Sequence, residues 1–146
     1  MRNIHKRYVT ETYDEDGIIE TYKMHWPDNF NFAYDVVDDI AENDPDRRAL
    51  IWSNPEGEEH TFTFADIKYY SDKTANYLAS LGIKKGDVVL VILRRHYQFW
   101  FTIIALHKLG AVTVPATFML KEHDLAYRFK ASGANGIICT SMGDIA

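Results

Sequence analysis

Apolar residues at Ala33, Val36, Val37, Ile40 and Ala41 recur at helical spacing, with Asp35, Asp38, Asp39 and Glu42 between them. The stripe predicts an amphipathic helix opening near Asn31, its acids on a solvated face. Asn43-Asp44-Pro45 ends it, since proline and the residue before it disfavour further α-helix. Ala49-Leu50-Ile51-Trp52 and Glu59-His60-Thr61-Phe62 then form two short strands around Asn54-Pro55-Glu56-Gly57, the pattern of a hairpin. Thr63 and Asp66 stand at capping-box spacing: the hydroxyl accepts from the Asp66 N–H and the carboxylate reaches back to the Thr63 N–H. Phe62 and Ile67 occupy the staple positions around the box. The helix it opens runs to Leu81, and Gly82 supplies a left-handed end.

Beyond Lys84-Lys85-Gly86-Asp87, the run Val88-Val89-Leu90-Val91-Ile92-Leu93 is apolar without alternation. A strand covered by helices on both faces reads this way, so it is placed at the centre of a parallel sheet. A helix follows from Tyr97 to Leu109, closed by Gly110, and Ala111-Val112-Thr113-Val114-Pro115 is the next strand, its pairing ended by Pro115. A helix from Lys121 to Ser132, with Leu125, Ala126 and Phe129 inward, leads to the strand Gly136-Ile137-Ile138-Cys139-Thr140. Strand and helix in alternation with short connections predict an α/β fold, a mostly parallel sheet with flanking helices and a small hairpin near its N-terminal side. Ligands approach such sheets at the carboxyl ends of the strands. Those ends are Arg94-Arg95-His96, Ala116-Thr117-Phe118-Met119 and Ser141-Met142, and none makes a self-sufficient site.

Residues 1–28 show no sustained period, and Tyr8, Tyr13, Tyr22 and Trp26 mark them as an arm whose aromatics pack onto something larger. Residues 29–146 then form the α/β body. An apolar share of 47% over 146 residues is enough for a packed core. A net charge of -5 argues against nucleic acid, which needs many phosphate-neutralising cations. Cys139 is the one cysteine, so no internal disulfide framework is expected. No apolar leader region precedes residue 28, which makes the cytoplasm the default compartment. Phe99 to Leu109, interrupted by Thr102, His107 and Lys108, falls short of the roughly 20 apolar residues of a membrane span.

Several local patterns invite a chemical reading and are better explained as structure. Gly82-Ile83-Lys84-Lys85-Gly86 follows a helix and precedes a strand, the reverse of a phosphate loop's setting. Gly133-Ala134-Asn135-Gly136 lacks the third glycine of a dinucleotide fingerprint and is read as a turn. His5, His25, His60, His96, His107 and His123 show no zinc spacing, so no metal site is expected. His96, after two arginines, is set in a solvated loop rather than on an anion. Cys139, in an apolar strand, is expected to be a small buried hydrophobe and no catalytic residue is assigned.

Four stretches in series resemble the adenylate-forming enzymes, and within them the medium-chain acyl-CoA synthetase branch. Asn31-Phe32-Ala33-Tyr34-Asp35-Val36-Val37-Asp38 resembles the opening segment, and Phe62-Thr63-Phe64-Ala65-Asp66-Ile67 the first core motif. Leu106-His107-Lys108-Leu109-Gly110-Ala111-Val112-Thr113-Val114-Pro115-Ala116-Thr117 resembles the second, and Asp124-Leu125-Ala126-Tyr127-Arg128 the helix after it. The resemblance implies the N-terminal portion of the adenylate-forming fold, with residues 29–146 a partial α/β subdomain of the AMP-binding large domain. It implies a carboxylic acid activated by ATP to an acyl-adenylate, then transferred to CoA with release of AMP, a step in fatty acid metabolism.

The resemblance also implies ATP, Mg²⁺ and CoA as cofactors of the full-length enzyme. The Ser/Thr/Gly-rich phosphate loop, the ribose-binding acid and the catalytic Lys segment of the family fall after this stretch, so none is carried onto a residue here. Tight binding of those cofactors to this fragment is therefore not expected. The branch commonly has a Gln after the second motif, near the path of CoA, where this sequence has Met119. Met119 is the one CoA-proximal candidate, although a thioether has no amide for pantetheine and packing is its favoured role. Some relatives place an Arg that meets CoA phosphates where this sequence has Ala146, which cannot serve. The expected partner is the remainder of the synthetase, with self-association through an exposed sheet edge or apolar faces. Two other readings are an interaction or oligomerisation module without chemistry, and a small nucleotide-binding domain, against which the missing phosphate cradle argues.

Overall fold

A computed structural model describes residues 4–140. The chain divides into two compact units, Met1–Phe30 and Asn31–Ala146.

The first unit is a hairpin. After a 3-10 turn at Ile4–Arg7, β1 (Val9–Tyr13) pairs antiparallel with β2 (Ile19–Met24), with a bulge between Thr12 and Tyr13. The turn is set by Asp14, whose Oδ1 accepts from the N–H groups of Asp16 at 3.0 Å and Ile18 at 2.8 Å. The aperiodic arm expected here is thus a regular hairpin. Every residue of β2 is exposed, so no buried face imposes the alternation that would announce a strand. Of the four aromatics expected to be covered, Tyr13, Tyr22 and Trp26 are exposed, and Tyr8 is half-buried with its ring edge-on to Phe30.

The second unit opens with the expected helix, wound differently. Ala33–Asp38 forms a wide π turn that continues as α1 (Asp39–Asn43), with Ala33, Val37 and Ala41 buried. Asn31 starts it: its Oδ1 accepts from the Ala33 N–H at 2.9 Å, its own N–H donates to Asp35 Oδ2 at 2.6 Å, and its amide reaches the His107 carbonyl at 2.7 Å. One predicted feature fails here. Asp38, placed on a solvated face by the apolar stripe, is 5% exposed.

Next, β3 (Arg48–Ser53) and β4 (Glu59–Thr63) form the expected hairpin, with Leu50 opposite Phe62. The chain turns directly into α2 (Phe64–Ser80) through the predicted box, with Asp66 N–H to Thr63 Oγ1 at 3.2 Å and Thr63 N–H to Asp66 Oδ2 at 2.9 Å. Gly82, at φ +95°, ends the helix.

The sheet places β5 (Val88–Ile92) between β6 (Val112–Pro115) and β7 (Gly136–Cys139), parallel to both. The connections are α3 (Gln98–Leu109) and α4 (Glu122–Ser132). Because β6 and β7 lie on opposite sides of β5, right-handed crossovers put α3 and α4 on opposite faces. Val89 and Val91 face a core made with Ala75, Leu78, Ala105 and Leu106, while Leu90 and Ile92, on the alternate face, are also buried. A second cluster joins Ala33, Val37 and Ile67 to Phe101 and Ile104, which docks the opening helix on α2 and α3. On α4, Leu125 and Phe129 are half-buried, but Ala126 is exposed, so the inward stripe is narrower than predicted. No helix of the described residues is long and apolar enough to cross a membrane.

Candidate functional site

The carboxyl end of β5 leads into a loop held from two sides. The Arg94 guanidinium lies 4.6 Å over the Phe118 ring, tying this loop to the segment after β6. The Trp52 indole N–H donates to the Arg95 carbonyl, tying it to β3. Arg95 itself has φ +44°, a left-handed backbone that a side chain other than glycine adopts at a cost. His96 bends back so that its Nδ1 meets the Arg94 carbonyl. The rings of Trp52, His60, Phe62, Tyr97 and Phe101 form one cluster, with Tyr97 edge-on to Trp52 at 5.3 Å and tilted against Phe62 at 5.0 Å, and Phe62 edge-on to Phe101.

The other predicted positions do not join this loop into a reaction centre. Met119 is 74% exposed, its backbone N–H donating to Thr117 Oγ1 at 3.2 Å. Cys139 is free and half-buried. Ser141, Met142 and Ala146 lie outside the described residues. Gly82 and Gly86, at φ +95° and +89°, shape a helix-to-strand turn.

Asn135, read only as part of a turn, binds the sheet together. Its Oδ1 accepts from the Val88 N–H at 3.1 Å, its N–H donates to the Val88 carbonyl at 3.0 Å, and its Nδ2 donates to Asp87 Oδ1 at 2.8 Å. The hydrogen bond from Asn135, then that from the Lys84 N–H, hold the Asp87 carboxyl below its ordinary range.

A closed ring of four charges was missed. Lys108 Nζ, on a side chain 2% exposed, sits 2.6 Å from Asp72 Oδ1 and 2.9 Å from Asp38 Oδ1. Lys68 Nζ closes the ring at 3.1 Å from Asp38 Oδ2 and 3.6 Å from Asp72 Oδ2. Burial pulls the Lys68 ammonium down, but the hydrogen bond to Asp38 and the charges of Asp38, Asp72 and Glu42 outweigh it and raise its pKa. The sequence signals were a Lys and an Asp one turn apart on α2 and a lysine in the last turn of the mostly apolar α3. The ring joins the opening helix, α2 and α3, and all its positive charge is neutralised by its own acids.

These residues do not fit ATP phosphates or Mg²⁺. Among the described residues no three of His, Cys, Asp and Glu converge as metal ligands, and no glycine-rich loop runs from a strand into a helix N-terminus. What the geometry offers is a scaffold with one cationic loop at the carboxyl end of its central strand.

A family model described as AMP-binding enzyme matches residues 37–145. This chain belongs to the AMP-binding enzyme family. Among its curated relatives, the protein named "Acyl-coenzyme A synthetase ACSM3, mitochondrial" from Homo sapiens is 32% identical over 152 residues, covering 97% of this chain and 26% of the relative. "Acyl-coenzyme A synthetase ACSM4, mitochondrial" from Rattus norvegicus is 35% identical over 135 residues, covering 88% and 23%. The chain therefore spans about a quarter of the length of the curated relatives it matches. Among solved structures, the Klebsiella oxytoca NpsA N-terminal subdomain matches with a TM-score of 0.69 and 27% identity over 76% of this chain and 28% of that one. O-succinylbenzoate coenzyme A synthetase (MenE) from Bacillus subtilis, in complex with AMP, matches with 0.68 and 25% over 75% and 27%. The fold is thus the N-terminal portion of the adenylate-forming enzymes, and the expected resemblance to acyl-CoA synthetases holds.

Proposed function

We propose that the chain is the N-terminal segment of an ATP-dependent carboxylate–CoA ligase, converting a carboxylic acid, ATP and CoA to acyl-CoA, AMP and pyrophosphate. The observation that carries the reading is the 97% coverage of this chain by an acyl-coenzyme A synthetase at 32% identity. In that enzyme ATP, Mg²⁺ and CoA are held by the remainder of the synthetase, and this segment is not active on its own. Its own contribution is to fix the carboxyl end of β5 and the segment after β6, where Met119 lies beside the path of CoA and makes an apolar contact only. The enzyme works in fatty acid metabolism in the cytoplasm; cell fractionation checks this placement against the mitochondrial names of its relatives.

A second reading, a non-catalytic module that self-associates, draws on the free edges of the sheet. Among the described residues β6 and β7 are each paired on one side only. One experiment separates the two. An antibody against residues 31–146 is used to precipitate the native protein from its source cells, and the precipitate is assayed for AMP formation dependent on both a carboxylic acid and CoA. Activity in a band several times heavier than 16.9 kDa is the expected result. An inactive band at 16.9 kDa that sediments as a dimer overturns the ligase reading in favour of the module.

A further inference from the structure

β5 and β6 stay paired up to the Ala116 N–H, which donates to the Val91 carbonyl at 3.0 Å. Past that point the Arg94 guanidinium, 4.6 Å over the Phe118 ring, joins the two segments. Two side chains shape the loop that carries Arg94. The His96 ring meets the Arg94 carbonyl, and the Trp52 indole N–H donates to the next one, that of Arg95. Arg95 is the one described residue other than glycine with positive φ. A left-handed residue with a side chain is disfavoured roughly tenfold against ordinary backbone, and one hydrogen bond is worth a factor of about the same size. The Trp52 donor is therefore enough to decide which backbone the loop adopts. Its ring lies 5.6 Å from His60 on β4 and 5.3 Å from Tyr97 at the start of α3, which fixes the indole in place. Backbone strain collects where ligands are met, and this strain stands at the carboxyl ends of parallel strands, where ligands approach.

We propose that Trp52 is a positioning residue, which keeps Arg95 left-handed and thereby keeps Arg94 on Phe118 and the carboxyl ends of β5 and β6 in one arrangement. Rotation about the Arg95 backbone turns the peptide that joins it to Arg94, so a bond to one residue governs the side chain of the other. The consequence for catalysis rests on the ligase reading, in which the segment after β6 runs beside the path of CoA. Trp52 then sets how well CoA is received without touching it.

The test compares Trp52→Phe with the double variant Trp52→Phe, Arg95→Gly in the 146-residue chain, following the proton–proton Overhauser contact between the Arg94 side chain and the Phe118 ring. Phenylalanine keeps a ring beside His60 and Tyr97 and removes the N–H donor. Trp52→Phe is expected to weaken the contact severalfold. Adding Arg95→Gly restores about half of it or more, because glycine adopts positive φ about as readily as negative. A loss that came only from packing around Trp52 shows no such rescue. In the full-length ligase Trp52→Phe raises the KM for CoA severalfold and leaves that for ATP unchanged, and Arg95→Gly reverses most of the rise. A contact unmoved by Trp52→Phe, a contact that Arg95→Gly fails to restore, or a KM for CoA that does not follow the contact overturns the proposal. A full-length protein without ligase activity, in which the contact still follows Trp52, removes the ligase reading and keeps the positioning role.

Discussion

Lys108→Met removes one ammonium from the four-charge ring and keeps the hydrocarbon stem, so its cost isolates the electrostatics. Asp72, 44% exposed at its side chain, turns to water and loses little. Asp38, 6% exposed, cannot, and keeps only Lys68 at 3.1 Å. Removing one partner of a buried pair costs about 3 to 5 kcal/mol, and the surviving Lys68 puts this case near 3 kcal/mol. Lys68→Met deletes a charge that is already 34% exposed and is expected to cost about 1 kcal/mol or less. With a urea m-value of about 1 to 3 kcal/mol/M, Lys108→Met lowers the unfolding midpoint by about 1 to 3 M and leaves the slope unchanged. Lys108→Met combined with Asp38→Asn, which discharges the stranded acid, recovers more than half of the loss. Equal costs for the two lysine variants, or a Lys108→Met midpoint within error of the parent, would refute the argument that burial of Asp38 decides the energetics.

Thr63→Ala removes the acceptor of the Asp66 N–H and costs about 1 kcal/mol by the same urea assay, whereas Thr63→Ser costs a few tenths. Gly110→Ala meets both a φ of +69° and a Lys85 Cγ 3.0 Å from the new Cβ, and lowers stability by about 1 to 2 kcal/mol, read as a lower melting temperature. Asp87 titrates below its unfolded value, so the unfolded chain binds more protons in acid; its contribution is complete above about pH 4 and is lost as pH falls through the folded pKa. Asn135→Ala therefore lowers the urea midpoint at pH 7 and flattens its decline below pH 4, and parallel pH profiles for the two proteins would contradict that assignment.

How much of this was legible in sequence depended on whether one segment held its own signal. The capping box needed only Thr63 and Asp66, and β5 announced itself by an unbroken apolar run, so both stand where sequence placed them. Asp38 did not: its spacing on one helix says solvent, and only Lys68 and Lys108, 30 and 70 positions away, make its burial affordable. The hairpin of the first unit hid for the opposite reason, since a strand exposed on both faces carries no alternation to read. The Arg95 conformation was beyond reach as well, because nothing in Arg94-Arg95-His96 marks the middle residue as left-handed.

The residues that carry the family resemblance are doing structural tasks in this stretch. Within the second motif Leu106 is fully buried, Lys108 is locked in the charge ring, Gly110 takes the left-handed turn at φ +69° and Ala111 is 6% exposed. Within the first, Thr63 and Asp66 cap α2. Each demand comes from folding rather than from ATP or CoA, so a protein that kept this body and lost the chemistry would still match it. Family membership here is strong evidence about the scaffold. The reaction has to be argued from residues that meet substrate, and those are a separate question from the scaffold.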